Sequence, residues 1–136
     1  MRWVLGSIGP GTKLPSLGHT TYDNLKLTFG EQAKGLILGG SDALMIETSQ
    51  DLLQTKAAVN GCKVAMVETG IRLPIFVEVT VETTGTMLMG SEIAAALTTL
   101  EPLGIDMIGL NCATGPDEMS EHLRHLSKFA HIPVMC

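Results

Sequence analysis

Short apolar segments alternate with amphipathic segments along the whole chain. The amphipathic segments carry apolar residues every three or four positions, as Leu25, Phe29 and Ala33 do, which is the spacing of one buried helix face. The apolar segments are short, rich in valine and isoleucine, and bounded by glycine or proline, which indicates strands. The predicted strands cover residues 3–8, 43–48, 75–81, 105–111 and 132–135. Strands that alternate in this way with helices predict an α/β fold with a parallel sheet.

Serines and glycines predict where the helices begin and end. Ser49 and Ser91 each precede a helical pattern, and a serine hydroxyl there accepts a hydrogen bond from the free N–H groups of the first turn. Gly39 and Gly104 follow the first and third helical patterns and predict their ends. Pro116 lies near the first turn of the fourth helix, where an N–H group would have no partner within the helix.

The third predicted strand discriminates between two architectures, a doubly wound sheet and a (β/α)8 barrel. A strand that is covered by helices on both sides is apolar on both faces. Here valines form one face, whereas the other face includes Glu78 and Thr80, which we expect to point into the interior of a barrel. A closed barrel takes ~250 residues, and the chain has 136. The sequence therefore predicts part of a (β/α)8 TIM barrel, with five parallel strands and four helices, over residues 1–136.

Composition and charge exclude several classes of partner. The net charge is −5 and no basic patch occurs, which argues against binding of nucleic acid or of an anionic membrane. The apolar runs are too short to span a membrane, and no signal-peptide pattern follows Met1. The three cysteines are an odd number without CxxC spacing, so we expect free thiols and a reducing cytoplasm rather than a disulfide framework.

Cys112 directly follows the fourth predicted strand. Ligands of parallel α/β proteins bind at the carboxyl ends of the strands, so a thiol at this position is a candidate metal ligand or nucleophile. A free cysteine is also commonly a small buried apolar residue, and position alone leaves both interpretations open.

Six short segments together resemble a known family. In order along the chain they are residues 6–12 (GSIGPGT), 46–48 (IET), 50–52 (QDL), 83–90 (TTGTMLMG), 109–112 (GLNC) and 115–116 (GP). The chain resembles the homocysteine S-methyltransferase family over essentially its whole length, in particular the homocysteine-binding barrel of cobalamin-dependent methionine synthases. The resemblance implies that the chain holds the third to seventh strands of that barrel.

The resemblance also implies a metal and a reaction. In that family three cysteines hold a catalytic zinc, one after the sixth strand and an adjacent pair after the eighth. Cys112 matches the first, and no adjacent cysteine pair occurs in this chain, so the zinc site would be incomplete. A zinc with three protein ligands keeps one open position, at which the thiol of homocysteine becomes a thiolate that attacks a methyl group. Cobalamin and methyltetrahydrofolate would be bound by other domains of the same polypeptide.

Four further residues are candidates for binding the substrate. Glu47 ends the second strand, and its carboxylate could hold the ammonium of homocysteine or form a helix cap or an ion pair. Asp51 lies in the first turn of the next helix, where a carboxylate also favours the helix dipole. Asn111 adjoins Cys112 and could orient it or bind the substrate carboxylate, and Thr80 faces the barrel interior.

Two alternatives remain open. One is a stand-alone, cobalamin-independent thiol methyltransferase of the same family, with betaine or a sulfonium compound as the methyl donor. The other is a truncated fragment without activity. We expect the isolated chain to be inactive and to self-associate, because an open half-barrel leaves unpaired strand edges and an apolar inner surface.

Overall fold

The five strands of the sheet pair in the order in which they occur along the chain, and every pair is parallel. The computed structural model describes residues 2–136. The strands are β1 (Leu5–Ile8), β2 (Ala43–Ser49), β3 (Ile75–Val79), β4 (Met107–Leu110) and β5 (Val134–Met135). The predicted sequential parallel sheet is therefore confirmed.

Four helices connect the strands. They are α1 (Tyr22–Leu38), α2 (Leu52–Thr69), α3 (Ile93–Leu100) and α4 (Pro116–Phe129). Two single turns of 3-10 helix, Pro15–Leu17 and Glu101–Leu103, lie before α1 and after α3. Within residues 2–136, none of these helices combines the length and the apolar character that crossing a membrane requires.

The two faces of the sheet have different surroundings. One face packs against the helices, and its side chains, such as Leu44, Val77 and Ile108, are fully buried. The alternate side chains on the other face, Phe76 and Glu78 among them, are only partly buried. The helices thus cover one side of the sheet and leave the other side as an open concave interior, as expected for part of a barrel.

The helix starts differ from the prediction in two places. Ser49 was expected to cap α2, but β2 continues through Ser49, and the N-cap is Asp51, whose carboxylate accepts hydrogen bonds from the backbone of the first turn. Ser91 was expected to cap α3, but the N-cap is Glu92, which makes no side-chain cap. Pairing with β3 keeps the chain extended at Ser49, and the carbonyl oxygen of Ser91 accepts a hydrogen bond from the backbone N–H of Met87 in the loop before α3.

The other four strands are shorter than predicted. The third strand ends at Val79 rather than at residue 81, and the first begins at Leu5 rather than at residue 3. The fourth and fifth strands likewise start two residues later than predicted. Strand pairing with the neighbour sets these limits, and pairing is not visible in the periodicity of one segment.

Helices α1 and α2 approach each other at two glycines, Gly30 and Gly61. A Cβ atom added at Gly61 would lie 2.6 Å from the carbonyl oxygen of Lys26 and 2.8 Å from the backbone nitrogen of Gly30. Because both neighbours are backbone atoms of another helix, they cannot rotate away. The absence of side chains at this crossing therefore sets the distance between α1 and α2.

We predict that Gly61→Ala destabilises the chain by about 1–3 kcal/mol, because the added methyl group forces the two helices apart. The matched control is Gly35→Ala in α1, where no atom lies within 4 Å of the added Cβ. That change should be neutral or stabilise by about 0.5–1 kcal/mol through its helix propensity. Denaturant unfolding followed by circular dichroism measures both, and equal effects of the two changes would contradict this account.

Candidate functional site

Polar side chains from three strands meet at the carboxyl-terminal edge of the sheet. Glu47 and Thr48 lie near the end of β2, and Thr80 directly follows β3. Asn111 and Cys112 directly follow β4. The structure therefore brings four of the five predicted site residues, Glu47, Thr80, Asn111 and Cys112, to the edge where parallel α/β folds bind ligands.

The side chain of Asn111 connects the ends of β4 and β2. Its Oδ1 accepts a hydrogen bond from the backbone N–H of Thr48 at 3.0 Å, and its Nδ2 donates to Thr48 Oγ1 at 2.9 Å. Thr80, which is buried, donates its hydroxyl proton to the carbonyl oxygen of Asn111 at 3.1 Å. We call these three residues, Thr48, Thr80 and Asn111, the strand-end network.

Cys112 lies on the open side of the strand-end network. Its thiol is free and exposed, and its Sγ atom is 3.9 Å from Thr48 Oγ1. Three residues at this edge have left-handed backbone. Thr48 near the end of β2 has φ +57°, and the successive residues Cys112 and Ala113 have φ +59° and +60°. Non-glycine residues rarely adopt such values, and the strain of about 1–3 kcal/mol each is typical of functional sites.

Two carboxylates face the interior just below this edge. Ser7 donates a hydrogen bond from Oγ to Glu47 Oε1 at 2.5 Å, which fixes the direction of that carboxylate. Burial raises the pKa of Glu78 above its usual value, and the nearby carboxylate of Glu47 raises the pKa further. The carboxyl groups of Glu47 and Glu78 therefore give the interior a negative potential that favours a cationic group.

Asp51 occupies a different environment from the other predicted site residues. Its carboxylate is only 1% exposed and accepts hydrogen bonds from the backbone N–H of Leu53 at 2.8 Å and from the hydroxyl of Ser16 at 2.8 Å. It thus caps α2 and holds the loop after β1. Its role in substrate binding stays a prediction.

The cysteines of the chain lie in three different environments. Residues 2–136 contain no group of three or more His, Cys, Asp or Glu side chains placed to hold a metal. Cys62 is buried in the core, where desolvation raises its pKa to about 12. Cys136 is exposed, and its thiol contacts Met119 Sδ at 3.7 Å. Cys112 and Cys136 are thus both exposed thiols that follow strands of the sheet, and of the two Cys112 contacts Thr48.

Sequence reasoning missed two residues of the site, Ser7 and Thr48. Each lies in one of the family-like segments, and Ser7 also lies on the interior face of its strand. Its place in that segment and on that face could have identified Ser7 as a site residue. The contact of Thr48 with Asn111 joins residues 63 positions apart, and no local pattern could indicate it.

Comparison with solved structures defines the class of fold. The crystal structure of the homocysteine methyltransferase MmuM from Escherichia coli, in its apo form, matches with a TM-score of 0.78 and 18% sequence identity. The match covers 98% of this chain and 48% of that one. The described residues therefore form part of a (β/α)8 barrel.

Sequence comparison then gives the family. The model of the homocysteine S-methyltransferase family matches residues 1–136, and the chain therefore belongs to the homocysteine S-methyltransferase family. The methionine synthase of Mycobacterium leprae (strain TN) is 67% identical over 133 residues, and that of Mycobacterium tuberculosis (strain ATCC 25618 / H37Rv) is 66% identical over 133 residues. Each match covers 98% of this chain, and the chain spans 11% of the length of these relatives.

Replacing Glu78 with glutamine tests the electrostatics of the interior. A carboxyl group with a raised pKa in the folded state stabilises the fold in acid, and this contribution is lost as the pH rises through the folded pKa. At neutral pH we expect Glu78→Gln to unfold at a higher denaturant concentration than the unchanged chain. The difference should shrink as the pH falls towards the ordinary glutamate pKa of 4.5.

The control for this measurement is Glu31→Gln on the exposed surface of α1. It should change the denaturant midpoint little at any pH. If Glu78→Gln destabilised the chain at neutral pH and gave no pH-dependent difference, the assignment of Glu78 to a crowded negative interior would be wrong.

Proposed function

We propose that this chain forms part of the homocysteine-binding module of a methyltransferase of the methionine synthase type, which transfers a methyl group to the thiolate of homocysteine. The observation that carries the proposal is the 66–67% identity to two methionine synthases over 98% of the chain. The exposed Cys112 thiol at the carboxyl-terminal edge of the sheet supports it independently.

In this proposal Cys112 is one ligand of a catalytic zinc, and the zinc, when bound, lowers the pKa of the homocysteine thiol and holds its thiolate. The exposure of Cys112 and its place at the barrel mouth suit that role. Because residues 2–136 offer no cluster of further donors, the other two ligands must come from outside this segment. The family resemblance assigns them to an adjacent pair of cysteines.

Glu47 is the residue that we propose for the ammonium group of homocysteine. Its carboxylate lies partly exposed in the interior, and the hydrogen bond from Ser7 presents it in one direction. Glu78 adds negative charge beside it. We also propose substrate contacts for Thr80, Asn111 and Asp51. In the structure each of these side chains forms a hydrogen bond with the backbone of another residue.

The methyl donor in this proposal is methylcobalamin, and other domains of the same polypeptide bind the cobalamin and methyltetrahydrofolate. The length of the methionine synthase relatives, of which this chain matches 11%, leaves room for such domains. We place the protein in a reducing cytoplasm, where its three free thiols would persist. A donor assay separates the alternative, since betaine or a sulfonium compound would replace methylcobalamin only in a stand-alone enzyme.

The first test uses the full polypeptide that carries this chain. We expect it to contain stoichiometric zinc and to methylate homocysteine, and we expect Cys112→Ser to lose most of the zinc and the activity while its helical circular dichroism stays unchanged. Cys136→Ser is the matched control, because that thiol is also exposed and follows a strand but contacts Met119 rather than Thr48. Full zinc content in the Cys112→Ser protein would contradict the assignment.

The second test uses the isolated 136-residue chain. Tight zinc sites need three or four protein donors in fixed geometry, so we expect this chain to bind no stoichiometric zinc and to show no methyl transfer. Metal analysis after dialysis and a homocysteine assay measure both properties. Tight zinc in a monomer of this length would refute the account of ligands supplied from elsewhere.

A further inference from the structure

We propose that Thr48 is a positioning residue for Cys112, and that Asn111 orients the Thr48 hydroxyl so that it donates a hydrogen bond to the Cys112 sulfur. The inference rests on the proposed function, because it takes that sulfur to be a metal ligand. It adds a residue from a different strand, β2, to the support of the ligand on β4.

The direction of each hydrogen bond follows from the donors that are present. The backbone N–H of Thr48 can only donate, so the Asn111 atom that faces it at 3.0 Å must be the carbonyl oxygen Oδ1. The amide nitrogen Nδ2 therefore faces Thr48 Oγ1 at 2.9 Å and donates to it. Because the hydroxyl oxygen already accepts this bond, its own proton is free to point at Cys112 Sγ, 3.9 Å away.

Thr80 holds Asn111 in place from below. Its buried hydroxyl donates to the carbonyl oxygen of Asn111 at 3.1 Å and lies 3.4 Å from Oδ1. The backbone N–H of Asn111 also donates to the carbonyl oxygen of Val79 at 3.3 Å. The amide that orients Thr48 is thus fixed by its neighbour strand before any ligand binds.

The backbone of Thr48 gives a second, independent reason to assign it a role. A β-branched residue at φ +57° is a rare and strained case, whereas glycine adopts this conformation without strain. The register between β2 and β3 shifts between Ile46 and Ser49, so Thr48 lies at the irregular point of the strand. Glycine would fit the backbone better at this point. A requirement for the hydroxyl group explains why the residue is a threonine.

A hydroxyl placed in this way would direct the sulfur towards the metal. Residues that hydrogen-bond to metal ligands orient them, and their loss typically weakens metal binding about 10–100-fold. Thr48 belongs to β2 and Cys112 follows β4, and β3 lies between these two strands in the sheet. The contact therefore also links the ends of two strands that are not neighbours. The hydroxyl should therefore matter for metal affinity more than for the stability of the fold.

The experiment compares three variants of Thr48 in the full polypeptide. Thr48→Val keeps the branched shape without the hydroxyl, Thr48→Ser keeps the hydroxyl, and Thr48→Gly removes the hydroxyl while accepting the left-handed backbone. The zinc dissociation constant, measured by chelator competition, should rise about 10–100-fold for Thr48→Val and Thr48→Gly and stay within a small factor for Thr48→Ser. Thermal unfolding of Thr48→Gly should stay close to that of the unchanged protein.

The outcomes separate this inference from the proposed function. Unchanged zinc affinity in Thr48→Val or Thr48→Gly would overturn the inference, as would equal losses in Thr48→Ser and Thr48→Val. If Thr48→Val fails to fold, Thr48→Gly still decides, because glycine suits the backbone at this position. Cys112→Ser is the reference: if it binds zinc as the unchanged protein does, the proposed function fails, whereas its loss of zinc beside an unaffected Thr48→Gly overturns the inference alone.

Discussion

Asn111 joins the ends of two strands that do not touch each other in the sheet. β3 lies between β2 and β4, yet the amide of Asn111 bonds to both the backbone and the hydroxyl of Thr48. Thr80 at the end of β3 bonds to Asn111 and closes the gap. The position of Cys112 follows from these bonds, because it is the next residue along the chain. The geometry of the proposed metal ligand therefore depends on side chains from three strands.

The sheet separates stability from chemistry by its two faces. Residues such as Val77 and Val79 are fully buried against the helices and contribute the apolar burial that stabilises the fold. The alternate position, Glu78, is partly buried in the interior beside Glu47, where charge can act on a ligand. A strand with period-two alternation can serve both purposes, since successive side chains point to opposite faces. Changes on the two faces should accordingly affect different properties of the protein.

The sequence predicts the elements of this fold well because the helical faces repeat locally. The spacing of Leu25, Phe29 and Ala33 is a property of one helix, and α1 buries all three. The predicted cap at Ser49 failed because pairing of β2 with β3 extends the strand to that residue, and a neighbouring strand leaves no local trace. The contact between Thr48 and Asn111 escaped prediction for the same reason. The family-like segments located the edge of the site, and the fold was needed to connect its residues.

A crystal structure of the full polypeptide with zinc and homocysteine is the most direct test of whether the strand-end network holds the Cys112 sulfur in place as a zinc ligand. We predict a bond of about 2.3 Å between zinc and Cys112 Sγ, with the hydroxyl of Thr48 still in contact with that sulfur and with the Asn111 amide. A zinc ion that is bound without Cys112, or a Cys112 sulfur that has turned away from Thr48 in the loaded site, would contradict the account.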